Sequence, residues 1–176
     1  MTNVLLKRIE MIIRTLEEKD LLLRVEWMND ERIYSSMHYS FPVLMDNTIS
    51  WFKQNKGNDR RTDVIFEEDG IPVAMGGLTN INRDINKAEL YIFVNPKMQQ
   101  KGIGTNATKM LCKFGFERLG LNKIYLETNE DNILARRVYE KCGFKLEGIL
   151  RCEYKTKEGT FLNRIYYGLL RGELHE

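Results

Sequence analysis

The run Gln99-Gln100-Lys101-Gly102-Ile103-Gly104-Thr105 sets glycines and a lysine between the end of an apolar strand pattern and the start of an amphipathic helix pattern. Glycines there let the backbone curl until successive N–H groups converge on one point, beside the partial positive charge of a helix N-terminus. Such a bend can cradle a pyrophosphate, with Lys101 adding a mobile cation at its rim. A plain Gly-rich connection between strand and helix has the same composition. Gly102-Ile-Gly104-Thr-Asn-Ala107 also fits the G-x-G-x-x-G/A dinucleotide fingerprint, with Glu127 as its ribose acid. Against a dinucleotide site, the run falls past the midpoint of the chain, and the remaining residues end in a β-hairpin instead of further βα units. The triphosphatase loop is excluded, since Gly-Lys-Ser/Thr is absent.

A second constellation is Asn132-Ile-Leu-Ala135-Arg136-Arg137-Val-Tyr139-Glu-Lys-Cys-Gly143-Phe144. Tyr139 shares a helical stripe with Ala135, Val138 and Cys142, and spacing by itself makes it a core tyrosine with an incidental hydroxyl.

The elements that must position these groups read as a single αβ unit. A strand is expected over 9–16, a helix over 17–29, a short irregular or helical piece over 33–37 and a helix over 48–55. Strands over 63–68 and 71–81 meet at Asp69-Gly70, a pair suited to the positive φ angles of a tight turn. A strand over 88–94 ends at Asn95-Pro96, where proline withdraws a ladder donor. Its alternation puts Glu89, Tyr91 and Phe93 on one face and Leu90, Ile92 and Val94 on the other. Then come a helix over 105–119, a strand over 123–128, a helix over 133–142 stopped by Gly143, and a closing hairpin of 145–155 with 161–170.

The 176 residues are expected to form one domain, an ordinary globule at 43% hydrophobic and 30% charged residues. Lys and Arg number 27 against 25 Asp and Glu, a net charge of +2 that does not describe a phosphate-neutralising surface, so nucleic acid is not expected as a partner. Charges interrupt every apolar stretch well before the roughly 18 residues of a membrane span, and the first residues lack a signal peptide's apolar core. A cytoplasmic protein that does not engage membranes is therefore expected. Cys112, Cys142 and Cys152 form no CxxC pair and have only His38 and His175 for company, so they are read as reduced, half-buried small hydrophobes, and no metal site is expected.

Taken together, the Q-x-x-G-x-G run and the N-x-x-A-x-x-x-Y-x-x-x-G-F pattern resemble the GNAT superfamily, the Gcn5-related N-acetyltransferases, over roughly residues 62–170. The resemblance implies a mixed α/β (α+β) fold of about seven strands, flanked by helices, in which two central parallel strands splay apart. Residues 62–170 would form the coenzyme-binding core and 1–61 the acceptor-binding helices and first strand. The ligand in the cradle would be acetyl-coenzyme A, its pyrophosphate on the amides of Gln99 to Thr105 and its pantetheine arm running between 88–94 and 123–128. Unpaired backbone at Ile92, Phe93 and Val94 would bond the pantetheine amides as another strand would. Asn132 and Ala135 match coenzyme-contacting positions, and Arg136 is placed to reach a phosphate or to stand exposed.

The same resemblance sets the Tyr139 phenol beside the thioester sulfur, where a group of pKa about 10 can protonate a departing thiolate. Deprotonation of the acceptor amine falls to Glu89, favoured because many members use a glutamate on that strand, or to Glu127. The stretch Trp27-Met-Asn29-Asp30, with Met37, Trp51-Phe52 and the later segment Glu147-Gly-Ile-Leu-Arg151, resembles the branch containing ribosomal-protein N-terminal, spermidine and nucleotide-amino-sugar acetyltransferases. The spacing of Trp27, Asn29, Met37 and Trp51-Phe52 looks most like the amino-sugar enzymes. The cluster Trp27, Tyr34, Tyr39, Trp51 and Phe52 would stack a sugar or base, or merely pack two short helices. Polyamine ranks below the sugar because acids there are interleaved with Arg24, Arg32 and Lys53. A homodimer through the closing hairpin and a coenzyme-A-binding sensor without turnover complete the expectations.

Overall fold

The computed structural model describes residues 10–99, 101–156 and 158–175. In chain order the elements are β1 (Met11–Thr15), a 3-10 turn (Glu18–Asp20), α1 (Leu21–Met28), α2 (Glu31–Tyr34), α3 (Met45–Asn55), β2 (Thr62–Glu68), β3 (Ile71–Asn82) and β4 (Lys87–Val94). They continue as α4 (Ile103–Glu117), β5 (Lys123–Asn129), α5 (Ile133–Cys142), β6 (Lys145–Lys155) and β7 (Phe161–Leu170). The seven strands form one sheet in the order β1-β2-β3-β4-β5-β7-β6. Every neighbouring pair is antiparallel except β4 and β5. This is not the doubly wound parallel sheet that a dinucleotide fingerprint requires.

The parallel pair is short. β4 and β5 are in register only at Lys87↔Lys123, Ala88↔Ile124 and Glu89↔Tyr125. Each strand nevertheless continues against its other neighbour, β4 to Ala74↔Val94 on β3 and β5 to Asn129↔Arg164 on β7. The two strands therefore diverge into a V that is closed at Glu89 and Tyr125 and open toward Val94 and Asn129. These are the two strands expected to part.

Period-two alternation sorts the side chains into two cores. Ala88, Leu90, Ile92 and Val94 of β4 join Ile124 and Leu126 of β5 in packing beneath α4 and α5, with Ala107, Leu111 and Cys142. Phe93 and Tyr91 face the other way and pack with Trp27, Ile33, Ile49, Trp51 and Phe52 of α1–α3. On that side a polar cluster ties the helical layer to the strand. Tyr91 donates to Asp63 through a short hydrogen bond, and Arg61 reaches both Asp63 oxygens at 2.8 and 2.9 Å. The Arg24 guanidinium, buried, lies 4.6 Å from the Trp51 ring and 5.5 Å from that of Phe93.

The expected helix over 17–29 is divided. The Asp20 side chain accepts from the Glu17 amide at 2.9 Å and from Arg14 at 2.7 and 2.8 Å, which closes a tight turn before α1 can begin. α3 starts at Met45, ahead of the expected Thr48, and α4 starts at Ile103, ahead of Thr105. The cysteines differ from the half-buried expectation in both directions. Cys112 and Cys142 are buried between α4, α5 and the sheet, where burial raises both thiols, while Cys152 is exposed on β6.

Burial alone would push the Asp20 carboxyl up, but the Arg14 hydrogen bonds and the Glu17 amide outweigh it and hold the group below its ordinary value. A carboxyl that titrates lower in the folded chain than in the unfolded one contributes stability that is complete above about pH 4, and that is lost as pH falls through the folded value. Asp20→Asn is therefore expected to flatten the acid side of the stability profile, measured as the urea midpoint between pH 2 and 6. An unchanged slope would detach Asp20 from acid unfolding.

Candidate active site

The bend between β4 and α4 is built for an anion. Gly102, the N-cap of α4, adopts φ 79°, a left-handed conformation that glycine takes without strain, and open space surrounds its Cα. Among the described residues no side chain caps the helix, and the first intrahelical bond runs from the Asn106 amide to the Gly102 carbonyl. The amides of Ile103, Gly104 and Thr105 are thus left without an acceptor among the described residues. Orphan donors at a helix start, with no capping oxygen, are the groups that a diphosphate satisfies. Lys101 is exposed at the rim and Gln99 leads into the bend, while Gln100 lies outside the described residues.

The open V continues this cradle inward. On the side facing β5, the backbone of β4 beyond Glu89 has no strand partner, which includes Ile92, Phe93 and Val94. A Cβ on Gly104 would stand 3.4 Å from Val94 Cγ2 and 3.9 Å from Val138 Cγ2, so this position lines the seam joining β4, α4 and α5. A thioester carrier with a diphosphate at one end and two amides along its arm fits both features. Backbone N–H groups meet the diphosphate and an unpaired strand edge meets the amides.

Tyr139 stands on α5, beneath the sheet, half-buried between Phe144 and Tyr167 at ring separations of 5.8 and 6.3 Å. Its hydroxyl makes no hydrogen bond among the described residues. Burial pushes the phenol up to about 12, with Cys142 adding to the shift and Arg164 opposing it. The phenol therefore keeps its proton at every working pH. A thiolate formed in the same low-dielectric cleft is raised for the same reason, which narrows the gap between donor and recipient.

Both carboxylates lie on the opposite face. Glu89 sits at the closed vertex of the V, held by the Asn80 side-chain amide at 2.6 Å and paired across to Tyr125. Glu127 lies further along β5, with an oxygen 3.7 Å from Arg164 Nη2. Tyr139 and the two carboxylates thus lie on opposite faces of the sheet, the phenol on the α4–α5 side and the carboxylates on the α1–α3 side.

Two expected coenzyme contacts are engaged elsewhere. The Asn132 side-chain oxygen caps α5 by accepting from the Ala135 amide at 3.2 Å, which ties both residues into the helix start. Arg136 is not drawn to the cradle. Its guanidinium donates to the Glu130 carbonyl at 3.0 Å and to the Tyr167 hydroxyl at 3.3 Å, toward β7.

Sequence reasoning passed over a third group at the mouth. His38, from the segment between α2 and α3, holds Asn129 at 2.7 Å and lies 3.7 Å, centroid to centroid, from the Tyr154 ring. Arg164 stands beside them on β7. The strand alternation could have put Asn129 and Arg164 on the cleft face, but nothing local in the sequence brings His38 to them. Among the described residues no group of three or more His, Cys, Asp or Glu is arranged to hold a metal ion, and no helix is long and apolar enough to cross a membrane.

A mixed seven-stranded sheet parted between two parallel strands, with an uncapped helix start at its mouth, is the architecture that the sequence resemblance implies. The chain matches the acetyltransferase (GNAT) domain model over residues 10–145 and belongs to that family. Acetyl-coenzyme A is the acetyl donor that this family implies. Spermidine N(1)-acetyltransferase of Escherichia coli K12 is 35% identical over 107 residues, or 61% of this chain, but the match spans only 54% of that protein's length. The Vibrio cholerae spermidine N(1)-acetyltransferase is 27% identical over 164 residues, covering 92% of this chain and 91% of that one. A putative ribosomal N-acetyltransferase of Bacillus subtilis, YdaF, is 32% identical over 110 residues, covering 60% and 57%. Among solved structures, the Vibrio cholerae spermidine N-acetyltransferase in complex with CoA and spermine superposes with a TM-score of 0.87 at 25% identity, covering 93% of this chain and 96% of that one.

Two substitutions separate the halves of the site. Tyr139→Phe is expected to lower turnover about ten- to a thousandfold while leaving the coenzyme dissociation constant unchanged, as removal of one proton donor does; unaltered turnover would remove the phenol from the chemistry. Gly104→Val crowds Val94 and Val138 and is expected to weaken coenzyme binding about tenfold by calorimetry. An unmoved constant would place the arm elsewhere.

Proposed function

We propose that the chain is an acetyl-coenzyme-A-dependent N-acetyltransferase whose acceptor is a polyamine of the spermidine class. The observation that carries acetyl transfer is the parting of β4 from β5 after Glu89 and Tyr125, beside the uncapped start of α4. The amine attacks the thioester carbonyl from the side of α1–α3, and the departing sulfur meets the Tyr139 phenol from the side of α5. Gln99 to Thr105 bind the diphosphate, and Ile92 to Val94 align the pantetheine amides. Asn132 and Ala135 shape the start of α5 next to the arm. Glu89 and Glu127 set negative charge along the acceptor path.

The choice of acceptor reverses the order suggested by composition. Arg24 is buried against Trp51 and Phe93, and Arg32 is paired with Asp30 at 2.8 and 2.6 Å, so neither presents a free cation to repel a polyamine. The aromatic residues that suggested sugar stacking are occupied by packing. Trp27 meets Phe93 edge-on at 6.4 Å, Tyr34 lies 4.2 Å from Phe41, and the Tyr39 hydroxyl donates to the Met28 carbonyl. Trp51 is covered by Arg24 and by Arg61 at 4.9 Å. The spermidine acetyltransferases among the relatives support the same choice. At the sheet's outer edge β6 leaves Leu146 and Ile149 exposed, which supports pairing with a second copy.

The test is release of thiol from acetyl-coenzyme A with a panel of spermidine, spermine, a peptide with a free N-terminus and a nucleotide amino sugar, each product identified by mass spectrometry. Slow leakage without amine and strong acceleration by the polyamines are expected. Acceleration by the peptide or sugar alone overturns the acceptor assignment. No acceleration by any amine, with coenzyme still bound, marks a binding-only sensor.

A further inference from the structure

The cluster at the open end of the V contains two polar atoms that are buried without a partner among the described residues, His38 Nδ1 and Arg164 Nε. Buried donors and acceptors are ordinarily satisfied, and each exception asks for a missing group. The two atoms belong to one neighbourhood. His38 Nε2 lies 2.7 Å from Asn129 Oδ1, Asn129 is buried and in register with Arg164, and the Arg164 charge acts on His38. A carbonyl oxygen only accepts, so the imidazole proton sits on Nε2 and Nδ1 presents a bare lone pair. Tyr154 of β6 covers one ring face and fixes its plane.

Building on the reading of this chain as an amine acetyltransferase, we propose that His38 is the proton acceptor for the acceptor ammonium. An ammonium at the mouth, between Phe93 and Asn129, would donate to Nδ1 and supply the missing partner. The groups facing the imidazole are Asn129 from β5, Tyr154 from β6 and Arg164 from β7, the last with Glu127 at 3.7 Å. Burial keeps the ring below its ordinary 6.5; Asn129 works against that shift and Arg164 with it, so at pH 7 the ring is neutral and its Nδ1 lone pair is free to take a proton. The Arg164 charge lowers the proton affinity of a bound ammonium in the same way. Glu89 is less well placed, held by Asn80 at the closed vertex instead of the mouth.

Bonds and protons balance in this scheme. An N–H bond of the ammonium breaks and one forms at His38 Nδ1, and the freed lone pair attacks the thioester carbonyl carbon. The C–S bond then breaks and the thiolate takes the Tyr139 proton. The second proton leaves the amide nitrogen through solvent and restores Tyr139, while His38 returns its proton to solvent. One amide, one thiol and one released proton result.

The pH dependence of kcat/KM with the fastest amine of the panel tests this assignment. The native enzyme is expected to gain activity through a limb below 6.5 and then level off, because it binds the ammonium and removes the proton itself. His38→Gln keeps an N–H for Asn129 but has no basic lone pair. It is expected to lose about a hundredfold at pH 7, and its rate should instead climb with the fraction of free amine toward the amine's own pKa near 10. Asn129→Asp should move the native limb upward by setting a carboxylate against Nε2, and His38→Ala should regain activity with added imidazole. Coenzyme affinity by calorimetry should stay constant in all three, which a misfolded variant would not allow. His38→Gln at the native rate, or slowed with the native limb in place, overturns the assignment while leaving acetyl transfer intact. A native enzyme that binds coenzyme and acetylates no amine sinks the functional reading and this assignment together.

Discussion

A parallel strand pair that stops after three registered residues leaves a row of backbone donors and acceptors facing a gap inside the sheet. Such groups are costly when removed from water without partners, so the gap must hold water or a molecule with its own peptide-like amides. Most features of this chain can be traced to keeping that gap open. β3 and β7 hold the outer edges of β4 and β5 in long antiparallel ladders, so neither strand can swing across. Gly104 of α4 runs so close to the end of β4 and to α5 that a Cβ there would stand against Val94 and Val138, which ties that end of β4 to the helices instead of to β5.

The gap also divides the chemistry. Beneath the sheet the surroundings are apolar, and the phenol of Tyr139 is pushed up to about 12, an environment suited to holding a proton until a thiolate asks for it. Above it lie Glu89, Glu127, His38 and Arg164, a mixed polar surface on which the proposed acceptor ammonium would be held. In the proposed reaction two proton transfers of opposite direction would thus fall on opposite sides of one sheet, each in the environment that favours it.

Much of this was legible in the chain because it is encoded locally. Alternation in 88–94 assigned Glu89 and Ile92 to different faces, and the glycine run announced a bend at a helix start with converging N–H groups. The rest depends on contacts between distant segments. The split of the first helix arises from Asp20 meeting Arg14, and the orientation of Arg136 from a carbonyl at Glu130 and a hydroxyl at Tyr167. No periodicity reports either. The proposed reordering of acceptors turns on the same kind of contact: Arg24 counts as a cation in composition, yet in three dimensions it is spent on Trp51 and Phe93.

The cluster of Tyr91, Asp63, Arg61 and Arg24 shows why the acceptor side is the harder half to read. Its parts come from β4, β2, the segment before β2, and α1, and burial pushes the Tyr91 phenol up to about 12. Removing one member of a buried charged set strands its partner, so such sets resist change one residue at a time. Because this cluster grips the same β4 that borders the gap, α1 and the segment before β2 cannot shift without pulling on that strand. Acceptor selection here is therefore expected to vary through surface loops such as the one bearing His38, whose side chain meets Asn129 of β5 and Tyr154 of β6, and less through the helical layer itself.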